Sequence, residues 1–476
     1  MKNITIRDIL EFTRGHMEGD IDPDFRSQLL ETPVTDIATD SRQVKEGSLF
    51  IAIPGENVDG HKFVPQVAAI TKSILVEEDL DMIRAKSDVD ALPGNVAYIK
   101  VDNTVAALQR IGTAIRSEYD KPVIGVTGSV GKTTTREMIT AAVASNVETF
   151  STSGNMNSQI GVPVTVSGIC DKPTEAAVIE MGISEPGGMD KLASIVKPDI
   201  AVVTIIGDAH IEFLGSREGI RTEKLNICSK MKDNGVVFLN ADDPLLFAMK
   251  GKMKVKTFFY GTNPEADYRA ENIYFENGYN TYTYVHGNDR IMVNLSVLGK
   301  HNVLNSLAAM AVCDYMGLDL MKAAKAFESF VGLRQKVISC DGGYTIIDDS
   351  YNASPDSMKA AVNVLRDMNV AGSRIAVLGD MFELGPNTNA FHKEVGQYIN
   401  NLKFEDGSFV IDELITIGNY SKNIYDGVTE AAINKKHFEE KKQAAEYIRG
   451  LLKPGDVITL KASNGMKFSE LVELLK

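Results

Sequence analysis

A glycine-rich turn followed by a lysine and three threonines is the stretch of this sequence with the clearest chemistry. It reads VTGSVGKTTTREM over residues 126–138, after an apolar run and before a helical pattern. At such a strand-to-helix turn, backbone N–H groups at the helix N-terminus bind phosphate oxygens. We therefore predict that Lys132 reaches the β- and γ-phosphates of a nucleotide and that Thr133 holds Mg²⁺. The residues predicted to contact the nucleotide here are Gly128, Ser129, Gly131, Lys132, Thr133 and Thr134.

The turn departs from the usual P-loop at its start. Val126 occupies the place where that motif carries its first glycine. We favour ATP over GTP, because residues 434–437 approach a guanine-reading NKxD motif but carry His437 where the carboxylate belongs. A turn that serves packing alone is the alternative.

Two side chains that could bind a metal follow predicted strands. Glu180 ends the run AAVIE, and His210 comes after IAVVTIIGDA. In a parallel sheet the carboxyl ends of the strands share one edge, so both residues are expected to face the crevice beside Lys132. A carboxylate binds Mg²⁺ directly, and a neutral imidazole binds a metal or positions a water. A structural hydrogen bond or a helix cap is the alternative for either residue.

Three polar residues lie on predicted helices. Lys224 follows His210 in EGIRTEKLNI, and a solvated helix lysine is its ordinary interpretation. Asn302 and Asn305 lie near the start of the apolar helix HNVLNSLAAMAVCDYMG. Helix capping could explain one of these amides, but their spacing places both on one face, which capping does not require.

The stretch DDSYNASPDSM, residues 348–358, joins a predicted strand to a helix. Ser354 suits the N-cap of that helix and Pro355 its first position, so part of the motif serves chain reversal. Asp349 and Asn352 precede them and are not needed for that reversal. They are candidates for ligand binding.

These residues need strands and helices to position them, and the chain supplies three sets. A length of 476 residues, at about 100 to 200 residues per domain, suggests three domains. From residue 123, near-continuous β-branched runs alternate with helices, as in a parallel sheet covered on both faces. We predict an α/β protein with a small N-terminal α/β substrate domain (residues 1–102), a central P-loop ATPase-type domain with a mostly parallel sheet (103–332) and a C-terminal Rossmann-like doubly wound domain (333–476). The alternating segments NTYTYVH and IMVNLSVLG are predicted to form an antiparallel edge.

The composition is that of an ordinary globular protein, and it argues against some partners. Fifty basic and 64 acidic side chains leave a formal charge of −14, which disfavours nucleic acid. No stretch approaches the roughly 18 apolar residues of a transmembrane helix. The N-terminal segment MKNITIRDILEFTRG lacks the pattern of a secretory signal. We expect a cytoplasmic protein without membrane insertion.

Several motifs resemble, in order, those of the Mur ligase family: TGSVGKTTT, TSGNMNSQIGVP, AVIEMG, AHIEFLGSREGI, LGKHNVLNSLAA, DDSYNASPDSMKAA and VLGDMFELG. The resemblance extends into the first domain through DSRQVKEGSLFIAIPGENVDGHKF and so covers nearly the whole chain. It implies an ATP-dependent carbon–nitrogen ligase of peptidoglycan precursor synthesis that works through an acyl phosphate. The segments YNASPDSM and GDMFELG imply that it adds D-alanyl-D-alanine to UDP-N-acetylmuramoyl-tripeptide.

The resemblance also implies roles for individual residues. Lys132, His210 and Lys224 would form the catalytic set, with Lys224 carbamylated. Two Mg²⁺ ions are expected, held by Thr133, Glu180, His210 and the carbamate.

The remaining implied contacts are with ATP and the two other substrates. Asn302 and Asn305 would contact the nucleoside of ATP, and Arg334 and Asp349 its phosphate and ribose. The residues expected to bind the other substrates are Ser41 and Arg42 at the UDP end, Asn155 and Asn157 at the sugar and phosphate, and Tyr351 and Asn352 at the dipeptide. A monomer is expected.

Other functions stay open from the sequence. A related ligase that adds the third amino acid is one, although its DNPR-like motif is absent, and a folate polyglutamate or cyanophycin-type ligase is another. A P-loop NTPase or nucleotide-gated binding module without ligation is the alternative from a different class.

Two departures from the family pattern, Gln335-Lys336 and Lys461-Ala462-Ser463, affect the expected substrate contacts. The third residue of the peptide could be lysine or diaminopimelate.

Overall fold

Three β-sheets follow one another along the chain, each with helices packed on it. The structure is a computed structural model that describes residues 1–19, 22–55, 58–276, 279–332 and 334–476. The predicted α/β class with three sets of elements is confirmed. The divisions after residues 102 and 332 stay predictions, and they fall between the sheets.

The first sheet has five strands in the order β1, β5, β4, β3, β2, and only β1 is antiparallel to its neighbour. Its strands are β1 (His16–Glu18), β2 (Asp36–Ala38), β3 (Ser48–Ile51), β4 (Ser73–Val76) and β5 (Ala97–Lys100). The α-helices around it are α1 (Ile6–Thr13), α2 (Pro23–Leu30), α3 (Val64–Ala68) and α4 (Leu80–Ser87). Two 3-10 helices occupy Ser41–Gln43 and Gly60–Phe63.

The central sheet has nine strands in the order β14, β13, β12, β11, β10, β9, β6, β8, β7. The strands are β6 (Val123–Thr127), β7 (Thr149–Ser151), β8 (Ala176–Glu180), β9 (Ile200–Val203), β10 (Val236–Asn240), β11 (Lys256–Gly261), β12 (Tyr268–Glu276), β13 (Tyr279–His286) and β14 (Asp289–Leu295). The helices are α5 (Thr104–Ser117), α6 (Lys132–Ala144), α7 (Gly161–Ser167), α8 (Gly188–Val196), α9 (Ile211–Leu214), α10 (Arg217–Leu225), α11 (Pro244–Phe247), α12 (Lys300–Tyr315) and α13 (Leu320–Ala326), with a 3-10 turn at Asn226–Cys228. Strands β13 and β14 form the predicted antiparallel edge.

The third sheet has six strands in the order β15, β16, β20, β17, β18, β19, and only β15 is antiparallel. The strands are β15 (Lys336–Ser339), β16 (Thr345–Asp348), β17 (Arg374–Gly379), β18 (Glu413–Ile417), β19 (Asn434–Phe438) and β20 (Val457–Lys461). The helices are α14 (Pro355–Asp367), α15 (Thr388–Asn401), α16 (Lys422–Gly427), α17 (Lys441–Leu451) and α18 (Phe468–Leu475), with 3-10 turns at Gly385–Asn387 and Asn464–Met466.

The central strands are buried on both faces, which explains their continuous apolar sequence. In β6, Val123 packs in a core shared with the first sheet and with α5. Ile124 and Val126 point to the opposite face and pack in the core that contains residues of α6 and α12. Because β6, β8, β9 and β10 are parallel, their carboxyl ends meet at one edge of the sheet. Within the described residues, no helix is both long and apolar enough to cross a membrane.

The chain that leaves β9 at this edge is held by a buried carboxylate. Asp243 Oδ2 accepts a hydrogen bond of 2.6 Å from the Ile206 N–H. Its Oδ1 caps α11 by accepting from the N–H groups of Leu245 and Leu246 at 2.8 and 3.1 Å. Asp243 therefore fixes the segment that leads to His210.

We predict that Asp243→Ala lowers the free energy of unfolding by about 2 to 4 kcal/mol, because three N–H groups, two of them in buried hydrogen bonds, lose a charged acceptor. Asp319→Ala is the matched control, since Asp319 caps α13 at the surface. The control should cost about 1 kcal/mol. Urea denaturation measures both, and equal losses would show that the link to Ile206 contributes nothing.

Candidate active site

A cavity of about 640 Å³ opens at the carboxyl edge of the central sheet. Its walls come from the P-loop, the start of α12 and loops of the third sheet. The predicted site residues that line it are Ser129, Gly131, Lys132, Thr133, Thr134, Asn155, Asn157, Glu180, His210, Asn302, Asn305, Arg334, Asp349, Tyr351 and Asn352. The predicted site residues outside its lining are Ser41, Arg42, Gly128 and Lys224.

The glycine turn requires glycine at Gly128, where φ is +151° and the backbone packs against the end of β9. A Cβ at this position would lie 1.9 Å from Thr204 Oγ1. The Thr204 hydroxyl in turn donates to the Val130 carbonyl oxygen at 2.5 Å. The Ser129 N–H donates to the Ile205 carbonyl at 2.7 Å. Hydrogen bonds therefore hold the glycine turn against the end of β9 in the absence of a ligand.

Lys132 folds back onto the loop that precedes it. Its Nζ donates to the Gly128 carbonyl oxygen at 2.9 Å and to that of Ser129 at 3.3 Å. Burial lowers the pKa of Lys132, and the nearby Glu180 carboxylate opposes that shift. The amine thus stands at the loop with neutral partners that an anionic phosphate can replace.

Glu180, at the end of β8, is fully buried, and one of its oxygens accepts no hydrogen bond from the described residues. Oε1 accepts from Thr133 Oγ1 at 3.1 Å and from Asn157 Nδ2 at 2.6 Å. Oε2 has no hydrogen-bond partner among the described residues, and Arg136 Nε stands 3.7 Å away. A buried carboxylate oxygen beside a threonine hydroxyl is a donor set that Mg²⁺ prefers. The structural alternative, a hydrogen bond made by Glu180, accounts for Oε1 but not for Oε2, which accepts no hydrogen bond from the described residues.

Arg334 reaches from the third sheet to the P-loop. Its Nη2 donates to Thr133 Oγ1 at 3.3 Å, and its Cζ lies 3.1 Å from the centre of the Tyr351 ring. Burial lowers the pKa of Arg334. A cation of the third sheet therefore faces the place where the loop would hold phosphate.

Asn302 and Asn305 form a hydrogen-bonded chain that ends on α6. Asn302 Nδ2 donates to the Leu298 carbonyl at 2.7 Å, and Asn305 Nδ2 donates to Asn302 Oδ1 at 3.0 Å. The Thr135 hydroxyl donates to Asn305 Oδ1 at 3.0 Å. Gly299 is the N-cap of α12, so neither amide caps the helix and that alternative is wrong.

His210 follows β9 in a left-handed conformation, with φ of 63°. Its Nδ1 lies 2.7 Å from Oε2 of Glu383, which comes from the loop after β17. The two atoms are close, but their orientation falls outside hydrogen-bond geometry in this structure. It holds the pKa of Glu383 below its usual value.

Lys224 is buried inside the protein, contrary to the ordinary interpretation of a helix lysine. Its side chain on α10 is 1% exposed, and Nζ has no hydrogen-bond partner among the described residues. Burial lowers its pKa well below the usual value, and the positive charge of Lys132 lowers it further. Burial therefore shifts the protonation equilibrium of this lysine toward the neutral amine.

The residues expected to bind the sugar nucleotide lie in two places. Arg42, on the 3-10 helix of the first sheet beside Ser41, is paired with Asp40, and its Nε lies 2.9 Å from Oδ1. This pair is exposed and outside the cavity. Asn155 lines the cavity, whereas the amide of Asn157 is already bonded to Glu180.

Three charged residues of the site were not predicted from the sequence. Arg136 approaches Glu180, Glu383 contacts His210, and Lys461 Nζ lies 2.7 Å from Asp349 Oδ2. Lys461 ends β20 and Glu383 follows β17, so the strand-end argument used for Glu180 could have found both.

Family models match this chain in three consecutive parts. Residues 33–116 match "Mur ligase family, catalytic domain", residues 126–313 match "Mur ligase middle domain", and residues 333–464 match "Mur ligase, glutamate ligase domain". The models follow the order of the three sheets.

Curated relatives and solved structures match over nearly the full length. The chain is 37% identical to the UDP-N-acetylmuramoyl-tripeptide--D-alanyl-D-alanine ligase of Bacillus subtilis, over 98% of this chain and 97% of that protein. It is 30% identical to the ligase of that name from Escherichia coli, over 100% and 99%. A crystal structure of MurF from Acinetobacter baumannii superposes with a TM-score of 0.85 at 28% identity, covering 99% of this chain and 98% of the other. MurF ligase from Thermotoga maritima in complex with ADP gives 0.78 at 26%, covering 93% and 97%. The resemblance inferred from the motifs is thereby confirmed, and the chain belongs to the Mur ligase family.

Proposed function

We propose that this protein is an ATP-dependent ligase that joins D-alanyl-D-alanine to UDP-N-acetylmuramoyl-tripeptide. The observation that carries the proposal is the cavity, which is lined by Lys132, Glu180 and Arg334. Oε2 of Glu180 accepts no hydrogen bond from the described residues. Such a site holds a triphosphate beside a second anion, which a ligase that activates a carboxylate requires. Full-length similarity to ligases that carry this substrate name supports the choice of substrates.

ATP is proposed to bind with its phosphates on the P-loop. Lys132 would exchange its two backbone carbonyl partners for phosphate oxygens, and Arg334 would face the phosphates from the other wall. Asn302 and Asn305 line the same cavity, and we place the nucleoside of ATP against them, with Asp349 near the ribose.

The residues around Glu180 fit Mg²⁺. Glu180 and Thr133 would hold one ion, since the carboxylate has an unpaired buried oxygen. We place a second ion at His210, with Lys224 contributing after carbamylation. Bound Mg²⁺ would withdraw negative charge from the transferring phosphoryl group.

Lys224 fits carbamylation because its amine is buried and has no hydrogen-bond partner among the described residues, and because burial shifts its pKa toward the neutral form that attacks CO₂. The nitrogen forms a bond to the carbon of CO₂ and loses a proton, which leaves a carbamate anion. The product places an anion in the electrostatic field of the Lys132 ammonium, which attracts it.

The reaction then proceeds in two displacements. A carboxylate oxygen of the tripeptide attacks the γ-phosphorus, the bond to the bridging oxygen breaks, and ADP leaves. The amine of D-alanyl-D-alanine attacks the carbonyl carbon of the acyl phosphate, loses its proton, and inorganic phosphate leaves. Lys132 and Arg334 offset the repulsion between the two anions, and the walls of the cavity restrict water that would hydrolyse the acyl phosphate.

The two other substrates are placed at opposite ends of the site. Ser41 and Arg42 are proposed to contact the UDP end, with Asn155 and Asn157 near the sugar and phosphate. Tyr351 and Asn352 line the cavity on the side of the third sheet, where we place the dipeptide. We place the reaction in the cytoplasm, where ATP and nucleotide-linked sugars are found. We expect a monomer.

We predict that phosphate release from ATP and Mg²⁺ requires both UDP-N-acetylmuramoyl-tripeptide and D-alanyl-D-alanine. Lys132→Ala should lower kcat/KM by about 100-fold or more, because a cation is lost where charge moves in the transition state. Lys121→Ala is the control, since Lys121 is exposed and is paired with Asp120 at the surface. Release without the dipeptide, or full turnover by Lys132→Ala, would count against the proposal. Replacing the dipeptide with single amino acids tests the related ligase.

For Lys224, we predict loss of activity in Lys224→Ala and partial recovery with formate or acetate, which can supply the missing carboxylate. Carbon-labelled bicarbonate should give a carbamate resonance in the wild-type protein that Lys224→Ala lacks. Lys230→Ala serves as the control because Lys230 is exposed and paired with Asp190. A wild-type spectrum without the carbamate signal would remove this role.

A further inference from the structure

The loop after β17 reaches across to the segment that carries His210. Glu383 Oε2 lies 2.7 Å from His210 Nδ1, and both side chains line the cavity. Both residues hold left-handed backbones, with φ of 61° and 63°. This conformation is unfavourable for residues other than glycine, and surrounding contacts must maintain it. One residue follows a strand of the central sheet and the other follows a strand of the third sheet. A contact between two residues in this unfavourable conformation indicates that the fold maintains it.

Neighbouring residues hold the same two parts together. Arg217 Nε donates to Asp208 Oδ1 at 2.7 Å, and Arg217 Nη2 lies 3.8 Å from Asp356 Oδ2 in the first turn of α14. A Cβ at Gly207 would lie 2.4 Å from Asp356 Oδ2, so glycine makes room for this carboxylate. Residues 207–217 are therefore a docking surface for the third sheet.

We propose that Glu383 is a positioning residue for His210. The inference rests on the proposed function, in which His210 helps to hold the second metal ion. A histidine that binds a metal usually contacts a carboxylate through its other nitrogen, which fixes the tautomer and the ring orientation. Glu383 at Nδ1 leaves Nε2 as the nitrogen available to a metal. The present contact is close but poorly directed, and such contacts often tighten when ligands bind.

The consequence is a coupling between the third sheet and the metal site. Glu383 lies in the loop after β17 of the third sheet, and His210 lies in the segment after β9 of the central sheet. His210 is oriented only while the two sheets are docked, so the second metal position is complete only in that arrangement. The enzyme would thus hold ATP at the P-loop before the third sheet completes the site.

The test measures metal binding without turnover, with Mn²⁺ as the probe and ADP present. Electron paramagnetic resonance gives the Kd of the weaker Mn²⁺ site in the wild type, Glu383→Gln, His210→Ala and the double variant. We expect Glu383→Gln to weaken that site by about 10- to 100-fold, as loss of an orienting carboxylate does. In the His210→Ala background, Glu383→Gln should have no further effect. Glu473→Gln is the matched control, because Glu473 lies on α18, exposed and paired with Lys476.

Two results would overturn the inference. One is a wild-type Kd in Glu383→Gln, and the other is an equal weakening by this change with and without His210. A wild-type protein that binds no Mn²⁺ with ADP would overturn the proposed function, and the role of Glu383 with it. Glu383 is half exposed, so its replacement should leave the folded protein intact, and an unchanged melting temperature checks this.

Discussion

The site depends on one buried carboxylate, that of Glu180, in which one oxygen accepts no hydrogen bond from the described residues. Removing an ionised carboxylate from water is costly unless charges and hydrogen bonds compensate. Glu180 accepts two hydrogen bonds at Oε1, whereas Oε2 faces the Arg136 guanidinium at 3.7 Å and accepts no hydrogen bond from the described residues. The neighbouring Thr133 hydroxyl ties this carboxylate to the phosphate loop. The Glu180 carboxylate and the Thr133 hydroxyl are therefore suited to bind a cation.

The rest of the fold brings other charges to that carboxylate. Parallel strands end at one edge, so the glycine loop, Glu180 and the segment of His210 share a crevice. The third sheet closes the crevice with Arg334 and Glu383, which contact Thr133 and His210 respectively. In the function proposed here, the site is therefore formed by the docking of two sheets as much as by either sheet alone.

The sequence predicted those parts of the protein that local patterns determine. Central strands such as β6 and β9 are buried on both faces, so their apolar runs identify them. The strand-end rule predicted that Glu180 and His210 would lie near the glycine loop. By contrast, β19 is an edge strand with two lysines and lacks a continuous apolar run. Its residues 434–437 resemble part of a nucleotide motif, and their sequence does not predict a strand. Burial of Lys224 and the contact of Glu383 arise from tertiary packing, which no local spacing encodes.

The most direct measurement is a crystal structure of the protein with Mg²⁺ and a non-hydrolysable ATP analogue. The account predicts a metal ion bonded to Glu180 Oε2 and Thr133 Oγ1. The triphosphate should lie on the glycine loop, with Lys132 Nζ moved from the Gly128 carbonyl to a phosphate oxygen. A triphosphate bound outside the cavity, with Glu180 Oε2 still lacking any metal, would contradict it.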